Sequence, residues 1–147
     1  MDREVAVLLT ALTGGLVALQ APINSTLGKA IGTWQTVFLS FAIGAVAMAG
    51  LASLTKGGLG QIAGVRDVSL IYLTGGLLGA AYVSSVLVTV RYLGLGGVTA
   101  ATISAQLAVS VVVDHFGLLG VTKQPISLTR VVGVVLLGLG TYLVVRE

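Results

Sequence analysis

Two sets of polar side chains recur at helical spacing inside long apolar stretches of the sequence. Gln20 and Asn24 are four residues apart, so on a helix they lie on one face. Pro22 lies between them and leaves the carbonyl of Ala18 without its usual amide partner. In lipid, a freed carbonyl is tolerated only where it is buried in protein or lines a wet cavity. The stretch Gly15–Gly28 therefore predicts a polar site inside a bundle of membrane helices.

The second set is a stripe of four polar residues at four-residue intervals, namely Thr102, Gln106, Ser110 and Asp114. A stripe of this kind lies along one side of a helix and would be costly against lipid. We expect it to face the bundle interior, with Gln106 approaching Gln20 around a cavity near the middle of the bundle. Hydrogen bonding between helices without any substrate explains the same stripe, and this alternative stays open.

Asp114 and His115 are the only acid and histidine that are neighbours in the sequence. Adjacent helical residues point about 100° apart, so the two do not form a ready acid–base pair. A helix end at the membrane interface, with Gly117 as its C-terminal cap, explains both residues. A role for Asp114 and His115 in coupling transport to protons is the alternative.

Tyr82 differs from the other aromatic residues because it is expected in the middle of a span, near Ser85 and Thr89. Aromatic residues near span ends are typical of the interfacial belt, whereas a mid-span tyrosine can line a cavity. The predicted substrate-binding residues are therefore Gln20, Asn24, Tyr82, Gln106 and Ser110.

Composition places these residues in a membrane. The chain has 147 residues, of which 56% are hydrophobic and only 9% are charged, and its mean hydropathy is +1.06. A soluble domain carries roughly 25% charged residues, so this chain is predicted to be an integral membrane protein. No cysteine is present, and no metalloprotease, nucleophile-elbow or Walker motif occurs. We therefore expect no enzymatic activity, no cofactor and no metal, and the scattered basic residues do not indicate nucleic-acid binding.

Charged residues divide the sequence into five apolar stretches, which predict an all-α fold with one five-helix membrane domain over residues 1–147. The helices are expected at about residues 5–27, 34–55, 68–90, 97–115 and 127–146. The glycine-rich, charged segment Lys56–Asp67 is predicted to be a loop. The first helix is expected to be retained, because Met1–Glu4 makes a poor signal-peptide start.

The basic residues divide unevenly between the two predicted sides of the membrane. One side carries Arg3, Lys56, Arg66, Lys123 and Arg130, and the other carries Lys29, Arg91 and Arg146. Orientation follows this bias, and a difference of two is small. One interpretation is a single preferred orientation. The other is dual topology, in which copies insert both ways and pair antiparallel to form an inverted repeat like those of transporters.

Six stretches of the sequence share the pattern of a known family: LQAPINSTLGKAIG, FLSFAIGA, GGLLGAAYV, VRYLGLGGVTAATISAQL, DHFGLLG with the following KQPI, and RVVGVVLLGLG. They resemble the YdcZ-like family of the drug/metabolite transporter superfamily over nearly the whole chain. The resemblance implies a multi-pass protein of the bacterial cytoplasmic (inner) membrane and an antiparallel homodimer that resembles the ten-helix superfamily fold. It also places Gln20, Asn24, Gln106, Asp114 and His115 at motif positions.

The sequence thus favours a small-molecule transporter of the drug/metabolite type, working as an antiparallel homodimer with a polar midplane cavity. Its expected partners are a second copy, a small-molecule substrate and the lipid bilayer. Two other classes stay open. One is a membrane scaffold or accessory subunit that does not transport, in which the polar side chains only hold helices together, and the other is a passive pore.

Overall fold

The computed structural model describes residues 2–146, and every regular element in that part of the chain is helical. Four α-helices follow one another: α1 (Arg3–Ile31), α2 (Thr33–Ser53), α3 (Gly75–Phe116) and α4 (Leu128–Val145). Shorter 3₁₀ helices cover Gly58–Asp67, Leu70–Thr74 and Leu118–Gly120. The predicted all-α class is confirmed.

Four helical stretches among the described residues are long and apolar enough to cross a bilayer: Arg3–Ile31, Thr33–Ser53, Leu70–Phe116 and Leu128–Val145. The predicted count of five is not confirmed, because the third and fourth expected helices fall in the single stretch Leu70–Phe116. Within that stretch, Gly94 has φ 65° and ψ 173°, which is outside helical geometry. This backbone conformation is essentially restricted to glycine.

The chain forms two compact units, Met1–Val88 and Thr89–Glu147, which we call unit 1 and unit 2. Unit 1 contains α1, α2, the 3₁₀ segments between residues 58 and 74, and the first part of α3. Unit 2 contains the rest of α3 and α4. The single membrane domain over residues 1–147 stays a prediction.

In unit 1, α1 and α2 pack against each other across a connection of one residue, Gly32. Gly32 has φ 95° and ψ 154°, a conformation that a side chain would strain. Its amide donates to the carbonyl of Gly28 at 3.0 Å, and its carbonyl accepts from the amide of Thr36 at 3.1 Å. The hydroxyl of the fully buried Thr36 donates to the same carbonyl at 2.8 Å. From the sequence we expect the first helix to end near residue 27 and the second to begin near residue 34, which predicts a longer connection.

The loop predicted for Lys56–Asp67 is wrong over most of its length, since Gly58–Asp67 is a 3₁₀ helix. Gly57 and Gly58 turn the chain with φ values of 89° and 52°, and the residues after them continue in 3₁₀ turns. The side-chain amide of Gln61 donates to the carbonyl of Lys56 at 2.8 Å and closes the turn. A second 3₁₀ helix delays the start of α3 from the predicted residue 68 to Gly75.

Candidate functional site

Asn24 on α1 and Ser40 on α2 form a hydrogen bond between the two helices of unit 1. The Ser40 hydroxyl donates to Oδ1 of Asn24 at 2.9 Å. Each residue is eight positions from Gly32, the single residue of the connection. Because both helices rise by about 1.5 Å per residue from the same turn, residues that are equally far from it lie side by side when the helices pack. The short connection at Gly32 therefore explains why these two side chains meet.

The Asn24 side chain is only partly satisfied by this bond. Asn24 is 5% exposed, and its Nδ2 atom is buried without a hydrogen-bond partner among residues 2–146. A terminal amide has two donor hydrogens and an accepting oxygen, and the single hydroxyl of Ser40 pairs with only one end of it. A buried donor left without a partner costs about 1–3 kcal/mol. Unit 1 thus holds an unpaired donor inside a spanning helix.

Asn24 lines a small cavity together with two further polar side chains, Gln20 and Tyr82. The cavity has a volume of about 20 Å³, which is room for one water-sized group. Its remaining walls are aliphatic: Val17, Ala21, Val83, Val86 and Leu87. Three of the predicted site residues are therefore brought together by α1 and the first part of α3.

A larger groove of about 350 Å³ shares two lining residues with the small cavity, Gln20 and Val83. Ser40 is its second polar residue, and its other walls are Phe41, Gly44, Ala45 and Met48. Among the residues that line either space none carries a charge. An apolar groove with a few convergent polar groups is typical of small-molecule sites.

The other two predicted binding residues, Gln106 and Ser110, lie in unit 2 on α3, and both are exposed. Because Gln20 belongs to unit 1, the expected approach of Gln20 and Gln106 stays a prediction.

Unit 2 has its own polar contact between helices, formed by Ser104 on α3 and Thr141 on α4. Their hydroxyl oxygens are 2.5 Å apart. Thr141 donates to the carbonyl of Ala100 at 2.9 Å, so Ser104 is the donor between the two hydroxyls and shares its hydrogen with the carbonyl of Leu137 at 3.2 Å. Each hydroxyl therefore has two partners. This pair was not predicted from the sequence, because Ser104 lies between Ala100 and Ala108 at four-residue spacing, a pattern typical of small residues that let helices pack closely.

Asp114 and His115 lie where α3 ends, as the sequence predicted for a helix terminus. Gly117 has φ 64° and ψ 36°, and its amide donates to the carbonyl of Asp114 at 3.2 Å, which confirms it as the cap. Nδ1 of His115 accepts from the amide of Ile126 at 3.2 Å. Both residues therefore take part in closing the connection between α3 and α4.

The carboxylate of Asp114 forms an ion pair with Arg130. Its Oδ2 atom is 3.3 Å from a guanidinium nitrogen of Arg130, and both side chains are about one-third exposed. Arg130 also donates to the side-chain carbonyl of Gln124, and the backbone amide of Gln124 donates to the backbone carbonyl of Asp114 at 2.8 Å. These contacts account for Asp114 and His115 structurally, and a coupling role for them stays a prediction.

Comparison with known families identifies the chain. The family model DMT_YdcZ, described as "Putative inner membrane exporter, YdcZ", matches residues 5–143. The chain belongs to the DMT_YdcZ family. The resemblance seen in the sequence is thereby confirmed, and this DMT_YdcZ protein is a multi-pass protein of the inner membrane. The family description supports a membrane transporter. Searches of curated proteins and of solved structures found no significant match.

Proposed function

We propose that this DMT_YdcZ protein is a small-molecule transporter of the drug/metabolite type from the bacterial inner membrane. It works as an antiparallel homodimer of two five-span copies with a polar cavity near the midplane. The substrate-binding residues are Gln20, Asn24 and Tyr82 of unit 1, with Gln106 and Ser110 of unit 2.

The observation that carries this proposal is the partly unpaired Asn24 beside a cavity and an apolar groove. A side chain that only joined helices would gain most by pairing every polar atom. Asn24 instead keeps a buried donor next to Gln20 and Tyr82. Transporters place their substrate sites within the membrane, at polar groups on spanning helices.

The break at Gly94 supports five spans. Residues 70–93 number 24 and residues 95–116 number 22, counted along the sequence. At about 1.5 Å per residue, 22 helical residues reach about 33 Å, which matches a hydrocarbon core of about 30 Å. An uninterrupted span over all of Leu70–Phe116 would be about twice as long as the bilayer needs.

The exposed Gln106 and Ser110 support a second copy. Polar side chains in an apolar helix are costly against lipid unless they are covered or line a wet cavity. Five spans put the two termini of one copy on opposite sides, so an inverted partner completes a symmetric structure of ten helices. The small excess of basic residues on one side is compatible with insertion in both orientations.

A second candidate function is a membrane subunit that does not transport. The hydrogen bond from Ser40 to Asn24 and the pair formed by Ser104 and Thr141 favour it, because both join helices. In that case the buried amide of Asn24 serves packing, and no solute binds to it.

Ligand-dependent stability of the purified protein separates the two candidates. We expect a screen of metabolites and drug-like solutes to find compounds that raise its melting temperature, and these compounds to show saturable transport in proteoliposomes. Gln20→Leu and Gln106→Leu should each abolish both effects while the protein stays folded, because both side chains are exposed in the structure and leucine is favourable on a membrane helix. Thr13→Val on α1 is the matched control, since the Thr13 hydroxyl bonds only to carbonyls of its own helix. Leucine variants that fall apart in mild detergent, with transport lost only in proportion, would favour the scaffold.

Topology and assembly are tested separately from the site. Reporter tags at the C-terminus should show both orientations, and two lysines added after Glu147 should shift the mixture toward a cytoplasmic C-terminus. Cysteine crosslinking should join antiparallel neighbours, with α4 or the face at Gly75 and Gly79 as candidate contacts. A single orientation, or crosslinks between parallel neighbours only, would contradict the antiparallel homodimer.

A further inference from the structure

We propose that the site at Asn24 takes an uncharged solute, whose hydrogen-bond acceptor pairs with Nδ2 of Asn24 and whose apolar body lies in the larger groove. This inference rests on the proposed function, and it names the chemical class of the substrate. It follows from the unpaired donor, the absence of charged lining residues and the sizes of the two spaces, which share Gln20 and Val83.

The hydrogen-bonding state of Asn24 determines which kind of ligand atom can pair with it. Its Oδ1 atom already accepts from the Ser40 hydroxyl at 2.9 Å, and its Nδ2 atom is buried without a partner among the described residues. The side chain that lines the cavity therefore carries a buried donor that has no partner among the described residues. A ligand atom that completes this arrangement is an acceptor, such as a carbonyl or ether oxygen.

The lining of the site determines which charge a ligand can carry. No residue that lines the cavity or the groove is charged. In unit 1 the acidic residues within the described chain are Asp2, Glu4 and Asp67, which lie at the start of α1 and at the end of the 3₁₀ helix Gly58–Asp67. An ion that enters an apolar site loses its hydration and finds no opposite charge there. The site therefore discriminates against cations and anions alike.

The space at the site consists of a small cavity and a larger groove. The cavity of about 20 Å³ beside Asn24 holds a single water-sized group, whereas the groove of about 350 Å³ holds a larger body. Phe41, Ala45 and Met48 form apolar walls of the groove, and Met48 adds a flexible, polarisable contact. Gln20 lines both spaces, and its amide can donate to or accept from the solute.

The experiment uses the fact that Asn24 is the only asparagine in the sequence. Labelling the full-length protein with asparagine that carries ¹⁵N in its side-chain amide gives one labelled nitrogen with two proton signals, which report directly on Nδ2. The probe is N,N-diethylbenzamide, which is uncharged and has only an acceptor. Its matched counterpart is N,N-diethylbenzylamine, which has nearly the same shape and is a cation at pH 7. We expect the neutral probe to shift the amide protons saturably and the cation to need at least tenfold higher concentration.

Substitutions on α2 test where the body of the probe lies. A Cβ on Gly44 or on Gly50 would have open space around it, with no atom within 4 Å beyond its own stretch of helix, so both positions have room for a Cβ. Gly44 lines the groove and Gly50 does not. Gly44→Leu should raise the half-saturating concentration of N,N-diethylbenzamide at least tenfold, and Gly50→Leu should change it less than twofold.

Three outcomes would overturn the inference: a cation that binds as tightly as the neutral probe, no shift of the Asn24 amide by the neutral probe, or equal effects of Gly44→Leu and Gly50→Leu. Failure of the proposed function looks different. If the amide shifts as expected but reconstituted protein moves no solute, the site stands and the transporter does not. If solutes are transported without any change at Asn24, the transporter stands and this site does not.

Discussion

Each unit of the protein joins two helices through polar side chains, and the two contacts differ in how completely their atoms are paired. In unit 2 the Ser104 hydroxyl donates to Thr141 and lies 3.2 Å from the carbonyl of Leu137, and the Thr141 hydroxyl donates to the carbonyl of Ala100. In unit 1 the bond between Ser40 and Asn24 leaves Nδ2 of Asn24 buried and without a partner in the described part of the chain. The first arrangement is complete in itself, whereas the second has capacity for another molecule.

The residue types explain this difference. A hydroxyl has a single hydrogen, and both hydrogens of this pair are used, because Ser104 donates to Thr141 and Thr141 donates to a backbone carbonyl. An amide carries two donor hydrogens and an acceptor, which is more than one serine can satisfy. The surroundings differ as well, because Asn24 lines a cavity that also contains Gln20 and Tyr82. A polar residue in a spanning helix is therefore better judged by its unpaired atoms than by its presence alone.

The largest effect is expected when the incomplete pair is removed as a whole. Asn24→Leu combined with Ser40→Ala removes the unpaired donor together with its one partner. Replacing both members of a buried pair by apolar groups is nearly neutral or stabilising, so the free energy of unfolding should stay level or rise. Ligand binding and transport should fall at least tenfold. Melting curves and proteoliposome uptake measure the two quantities on the same preparation.

The matched control for this change is Ser84→Ala. Ser84 is also a half-buried serine in unit 1, but its hydroxyl donates to the carbonyl of Ala80 in its own helix. We expect nearly unchanged stability and unchanged transport for this variant. A double variant of Asn24 and Ser40 that unfolds, with transport lost only in proportion, would identify the pair as packing and remove the distinction between the two units.

The complete pair of unit 2 should respond in the opposite way. Ser104→Ala combined with Thr141→Val removes hydrogen bonds that join α3 to α4. Hydrogen bonds between membrane helices contribute about 0.6–1.7 kcal/mol, so unfolding in denaturing detergent should become easier by about this amount. Transport per folded molecule should be unchanged. A loss of transport without a loss of stability would show that unit 2 also binds the solute through these hydroxyls.

The smallest effect is expected at the connection between α3 and α4. Asp114→Asn keeps an acceptor for Arg130 and removes the negative charge. An ion pair whose members are one-third exposed contributes about 0–1 kcal/mol, so stability should change little. Transport should persist if Asp114 only closes the connection. Transport that loses its dependence on a proton gradient in this variant would instead support the coupling role.

The sequence predicted the helical class, the family and the cap at Gly117, because charge spacing, motif stretches and glycine chemistry are local signals. It also selected Gln20, Asn24 and Tyr82, which the structure places around one cavity. The bond from Ser40 to Asn24 was not predicted, since it depends on a turn of one residue at Gly32. The sequence predicted a longer connection between the first two helices. It therefore did not indicate that Asn24 and Ser40 are equally far from the turn.

Other features depend on backbone geometry that composition does not reveal. The glycine-rich segment after Lys56 was predicted as a loop, but only Gly57 and Gly58 adopt positive φ, and the following residues form 3₁₀ turns. Gly94 is one of several glycines in its stretch, and only the structure shows that it leaves helical geometry. Glycine frequency therefore did not indicate which glycine turns the chain.

The central claim is that the incomplete polar pair of unit 1 binds the solute and that the complete pair of unit 2 holds helices together. The most direct test is the rise in melting temperature caused by the best-stabilising solute of the screen, measured in three proteins: the wild type, the double variant of Asn24 and Ser40, and the double variant of Ser104 and Thr141. We predict the rise in the wild type and in the unit 2 variant, and none in the unit 1 variant. An undiminished rise in the unit 1 variant would contradict the claim.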